Sequence, residues 1–255
     1  MNNIKTMAVI LCLSGVLSGC GGGGGDSAKS LPSSGKSDGA TGSLARITLV
    51  NNHLYLLAGS TLKTVSIRDA AHPVPVNTLE LNPDIETLYP HGAALLVGGQ
   101  NGVTVIDISA PDDPRFLSSY SHQWQCDPVV AEGSTAYVTL RTGRRCWFGD
   151  NRLDILDISN LKAPRLIQSY SMINPHGLAV NGNILFVAEG DFGFKVFDVT
   201  DPENIIRINN VRGILAEDII LVGGRVYLIG RNGLYQYNFF LDGQIDFLSH
   251  IPVLR

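Results

Sequence analysis

One stretch constrains the chain more than any other. Residues 101–120 (NGVTVIDISAPDDPRFLSSY) return as 151–170 (NRLDILDISNLKAPRLIQSY) and, more loosely, as 192–211 (FGFKVFDVTDPENIIRINNV). Fainter copies lie on either side, at 61–81 and 232–251. The column Ser66, Asp107, Asp157, Asp198, Asn238 sets the register, with spacings of 41, 50, 41 and 40 residues. A unit of that size cannot bury its own apolar face, so it must stack on its neighbours.

Within each unit the pattern is short apolar strands broken by Gly, Asn, Asp and Pro, with no helical period. The fourth unit divides into strands a (177–180), b (184–188), c (192–199) and d (205–211), with the tight turn Asn181-Gly182 between a and b. That turn recurs at Asn51-Asn52, His91-Gly92, Glu132-Gly133 and Gly223-Gly224. Strand b then carries Tyr55, Leu96, Tyr137, Phe186 and Tyr227, read as core residues wedged between neighbouring sheets. Of the 255 residues, 44% are hydrophobic and 16% charged, which fits a folded, sheet-rich chain. The expected fold is an all-β, five-bladed β-propeller of four-stranded antiparallel blades over residues 44–255. A split blade completed by some of residues 31–44 or by the final residues is the structural alternative.

The VIDIS, ILDIS and VFDVT cores, with Pro114 and Pro164 seven residues after the aspartate, resemble the LVIVD repeat family of bacterial β-propellers. The resemblance extends over about residues 45–255 and is most specific in the three middle units. It implies a cell-envelope propeller and carries no established reaction with it.

Asp107, Asp157 and Asp198 recur once per blade, so they cannot converge on one substrate. A short carboxylate before Ser or Thr is instead suited to accepting backbone N–H bonds in the c–d turn. A second column has more functional content. Arg46, Glu86, Asp127, His176 and Asp218 fall near the start of strand a, which is innermost in a propeller. These side chains are expected to ring one mouth of the central channel, either as a solvated rim or as a ligand site. Three carboxylates and an imidazole suit a divalent cation, and a cation enters only in that second reading. No other cofactor is indicated.

The third unit is longer than its siblings by an insertion between strands b and c, residues 141–150. Cys146 lies in it, and Cys126 lies in the d-to-a connection that precedes the unit. Both connections emerge on one face of a propeller, so a Cys126–Cys146 disulfide is expected in an exported protein. The same face collects Trp124, Arg141, Arg144, Arg145, Trp147 and Phe148, a composition suited to partner binding.

The N-terminus reads as a targeting segment. Lys5 precedes an apolar run at residues 7–17, too short to span a bilayer, and Leu17, Ser18, Gly19 and Cys20 resemble the lipobox of bacterial lipoproteins. The resemblance implies a signal peptide at 1–19 and lipidation of Cys20. Residues 20–43 are Gly- and Ser-rich and read as a flexible tether with a reach of roughly 25–30 Å. Gly21, not Asp, follows the lipid site, which by analogy points to the outer membrane of a Gram-negative bacterium. The net charge is −4 and basic residues are unclustered, which argues against nucleic acid as a partner.

No nucleophile elbow, zincin motif, P-loop or dinucleotide fingerprint is present. The favoured reading is therefore a lipid-anchored envelope propeller that binds a protein or glycan without catalysis. The alternative is a hydrolase or lyase working at the channel mouth.

Overall fold

Twenty strands in five sheets follow one another along the chain in the computed structural model, which describes residues 44–82, 85–122, 128–142 and 150–253. Cys20, Trp124, Cys126, Asp127, Arg144, Arg145, Cys146, Trp147 and Phe148 lie outside the described residues. Blade 1 is β1 (Ile47–Val50), β2 (His53–Ala58), β3 (Thr61–Ser66) and β4 (Val74–Glu80). Blade 2 is β5 (Ile85–His91), β6 (Ala94–Gly99), β7 (Gly102–Asp107) and β8 (Arg115–Ser121). Blade 3 is β9 (Val129–Glu132), β10 (Thr135–Leu140), β11 (Arg152–Asp157) and β12 (Arg165–Ser171). Blade 4 is β13 (Leu178–Asn181), β14 (Ile184–Ala188), β15 (Phe194–Asp198) and β16 (Ile206–Val211). Blade 5 is β17 (Asp218–Val222), β18 (Arg225–Gly230), β19 (Gly233–Phe239) and β20 (Ile245–Pro252). Every sheet is antiparallel with strands in sequence order, and no helix occurs among the described residues.

The repeat is visible in its irregularities as well as its strands. All five a–b hairpins close through two-residue loops, and the first loop residue has positive φ in each: Asn51, Gly92, Gly133, Gly182 and Gly223. All five c–d pairs shift register at one equivalent place: Thr64/Val65, Val105/Ile106, Ile155/Leu156, Val196/Phe197 and Gln236/Tyr237. A bulge there bends the strand and adds twist. The aspartates then hold the turn that follows. Asp107 Oδ1 accepts from Ser109 N at 2.8 Å, and Asp157 and Asp198 accept from Ser159 N and Thr200 N at 2.9 Å. Hydrogen bonds from Ser159 and from Arg165 pull the Asp157 carboxyl down to about 2. The repeated carboxylate is thus a turn-holding residue.

Apolar side chains fill the seams between blades. Tyr55, Leu57 and Leu62 of blade 1 pack against Leu88, Leu95 and Val97 of blade 2. Leu96, Val103 and Val105 meet Val129, Val138 and Leu156 across the next seam. Tyr137 and Ile155 meet Leu185 and Phe197 in the third. Phe186 and Phe194 meet Leu228, Tyr237 and Phe239 in the fourth, where Phe186 lies edge-on to Phe239 at 5.3 Å. A polar tie reinforces the first seam: His53 Nε2 lies 2.8 Å from Asp112 Oδ1, and Arg68 Nη2 donates to Asp112 Oδ2.

The strand-b apolar column is buried at Tyr55, Leu96, Tyr137 and Phe186, but Tyr227 is only half-buried. Four of these residues face the next blade. Tyr227 faces the outer side of blade 5, and no buried cluster joins blade 5 to blade 1 among the described residues. Ile47 and Leu49 on blade 1 are 52% and 44% exposed, and Val222 and Ile229 on blade 5 are 46% and 43% exposed. Two sheet faces that would meet in a closed five-blade circle are therefore left open.

Candidate functional site

The b–c turns and the d–a connections meet on one face, here called upper, as backbone pairing requires. Gly190, in the b–c turn of blade 4, bridges to Ala216 in the connection to blade 5. In blade 3 the two ends of the insertion are tied together. Asn151 Oδ1 accepts from Thr142 N at 2.9 Å, and Asn151 Nδ2 donates at 2.6 Å to Ile173 O in the following connection.

Four blades send charged groups to this face. Glu86 is the extra residue of a bulge in β5, where the register jumps between Ile85 and Thr87. A bulge re-aims a side chain out of the strand alternation, a device often found beside functional sites. Arg141 follows β10, where partial burial lowers its affinity for the proton against the opposing pull of Glu86 and Glu217. Arg231 follows β18 and donates from Nε to Glu217 Oε1 and from Nη2 to Asp191 Oδ1, both at 2.9 Å. His176 is half-buried at the entry to blade 4. Its N–H donates to Ala188 O, and its carbonyl accepts from Thr139 Oγ1 at 2.6 Å. Burial, followed by the cations Arg141 and Arg231, pushes the imidazole down to about 4 against the opposing pull of Asp191. It is a neutral ring at pH 7.

Gly190 explains the tight fit beside this ring. Its φ of +56° favours glycine, and a Cβ there would stand 2.8 Å from His176 Nε2 and 2.6 Å from Asn174 Nδ2.

The proposed channel-mouth column is thus brought together in part. Glu86 and His176 both act on Arg141, or are acted on by it. Asp218 begins β17 against Gly177 of blade 4, where a Cβ on Gly177 would collide with its carboxylate. Arg46 is exposed ahead of β1 and enters none of these interactions. Glu217, Asp191 and Arg231 were missed by the sequence reading. Glu217 lies one residue before the aligned column, and Asp191 and Arg231 lie in b–c turns, where the repeat has no fixed register. The mouth is of mixed charge as a result: Arg141 and Arg231 stand among Glu86, Glu217 and Asp191, where the column alone implied a carboxylate-rich ring. Among the described residues, no group of three or more His, Cys, Asp or Glu side chains is disposed to hold a metal ion.

A buried ion pair underlies this surface. Lys195 Nζ lies 2.8 Å from Glu189 Oε2, both side chains almost wholly buried, and Glu189 Oε1 accepts from Ile173 N at 2.9 Å.

Comparison with known proteins supports this architecture. The LVIVD repeat model matches residues 95–122, 148–172 and 175–212, which correspond to parts of blades 2, 3 and 4. A functionally unknown protein from Desulfotomaculum acetoxidans superposes with a TM-score of 0.66 at 15% identity, over 82% of this chain and 70% of that one. The periplasmic gluconolactonase PpgL of Pseudomonas aeruginosa gives 0.61 at 13% identity, over 79% and 68%. BamB from Moraxella catarrhalis gives 0.56 at 14%, over 81% and 61%. A comparison with curated proteins returned no match. At these identities the likeness establishes fold alone. The chain is an all-β protein of five four-stranded blades that carries LVIVD repeats on a β-propeller fold.

Proposed function

We propose that this chain is a non-catalytic binding propeller of the cell envelope, exported, lipidated at Cys20 and anchored to the outer membrane of a Gram-negative bacterium. Its upper face recognises a protein or glycan partner. The observation that carries this reading is the pairing of opposite charges at the mouth. Arg231 engages both Glu217 and Asp191 and ties the turns of blades 4 and 5 together. A mixed-charge rim around a neutral imidazole is suited to recognition, where complementary charge sets specificity. The lipobox and the tether at 20–43 support the location by holding such a face off a membrane.

A photo-crosslinking residue placed at Arg231 in intact cells tests this, with Lys162 on the opposite c–d turn as the control. The expected result is an adduct from position 231 and none from 162. Turnover of a small substrate, abolished by His176→Ala and accompanied by no adduct, would establish the hydrolase or lyase alternative instead.

A further inference from the structure

A polar cavity of about 330 Å³ lies in the seam between blades 3 and 4, at the edge of the upper face. Its volume falls within the roughly 300–1,000 Å³ of small-molecule sites. Lys195, Arg207, Asn210 and Arg212 line one wall. Strand pairing explains why they converge. Asn210 is paired with Lys195, and Arg207 with Phe197, so these side chains share the blade 4 face that looks toward blade 3. The equivalent of Lys195 in blade 5 is Tyr235, which packs in the seam with blade 4. A lysine here replaces core with a polar floor.

Charge accounting gives the cavity its sign. Lys195 is neutralised by Glu189, and Asp191 is engaged by Arg231. Arg207 and Arg212 have no ion-pair partner among the described residues. Two guanidinium groups thus face a concave site in a protein whose net charge is −4. Each can grip a carboxylate through two parallel N–H bonds. Phe192 at the rim is 49% exposed and offers a flat apolar surface, and the Asn210 amide adds donor and acceptor capacity beside it.

We infer that this cavity binds a carboxylated saccharide, with Arg207 and Arg212 holding the carboxylate, Phe192 stacking on the C–H face of the ring and Asn210 bonding a hydroxyl. The inference rests on the reading of the chain as a binding module and names a ligand class for it.

Isothermal titration of the purified full chain with trigalacturonate tests it, with galactotriose as the neutral match and acetate as the free carboxylate. Trigalacturonate should bind, galactotriose at least about tenfold more weakly, and acetate should not compete at equal carboxylate concentration. Arg207→Gln and Arg212→Gln should each weaken binding by about tenfold or more, and Phe192→Ala severalfold, with melting temperatures unchanged because all three side chains are solvent-exposed. No binding of trigalacturonate overturns the inference. So does binding indifferent to Arg207→Gln and Arg212→Gln, or equal competition by acetate. An adduct from position 231 together with any of these three results overturns the cavity and leaves the binding-module reading standing.

Discussion

Glu189 and Lys195 face each other across the b–c hairpin of blade 4, with Oε2 and Nζ 2.8 Å apart and 1% and 9% of their side chains exposed. Two charges taken out of water in this way gain little from one another relative to an apolar pair, but losing one partner strands the other. Lys195→Met should therefore cost about 3–5 kcal/mol. Combining it with Glu189→Leu should recover much of that loss. Urea denaturation of the two single variants and the double variant reads both numbers, and equal losses in the single and double variants would refute the account.

Tyr227 and Phe186 hold one repeat position in consecutive blades but differ in burial. Phe186→Ala removes a ring seated against Phe239 and should cost about 3–5 kcal/mol. Tyr227→Ala, on the open side of blade 5, should cost about 1 kcal/mol. Equal losses in chemical denaturation would mean that blades 5 and 1 close against each other in solution.

The proton affinity of His176 yields a signed pH dependence. Unfolding returns the ring from about 4 to its ordinary 6.5, so between these values the unfolded chain binds more protons than the folded one. Stability should therefore fall as pH drops from 6.5 to 4 and level off below that. His176→Gln should flatten the melting-temperature profile in that window. Arg141→Gln and Arg231→Gln remove cations that oppose protonation, so each should make the fall smaller and end it at a higher pH, a change measurable by NMR titration of the imidazole.

Lipidation of Cys20 and a Cys126–Cys146 disulfide are expectations from sequence, and each can be tested directly. Cys20→Ser should abolish incorporation of labelled palmitate and release the protein from the membrane fraction. Non-reducing peptide mapping should recover Cys126 joined to Cys146, and Cys146→Ser should lower stability by roughly 3 kcal/mol through the lost loop constraint. Free thiols at both positions in protein taken from the envelope would refute the pairing.

The fold was legible because it is periodic. Strand alternation, turn glycines and a recurring aspartate are local properties, and each of five copies repeats the same evidence. The placement of Glu86, His176 and Asp218 at or just before the innermost strands was legible for the same reason, since repeat position maps to depth along a blade. Glu217 and Arg231 were not, because turns and connections carry no period. Lys195 was visible only as an interruption, a charged residue between Phe194 and Val196 in an otherwise apolar strand.

By itself, the sequence determined the number of blades, the order of strands and the turn-holding role of the aspartates, because all of these depend on contacts within one repeat. Only the tertiary structure decided which charges neutralise one another at the mouth, that Arg207 and Arg212 share a cavity, and that blades 1 and 5 keep their outer faces open. Those facts depend on distances between blades, and a local pattern of polar and apolar residues says nothing about how far the stack curves.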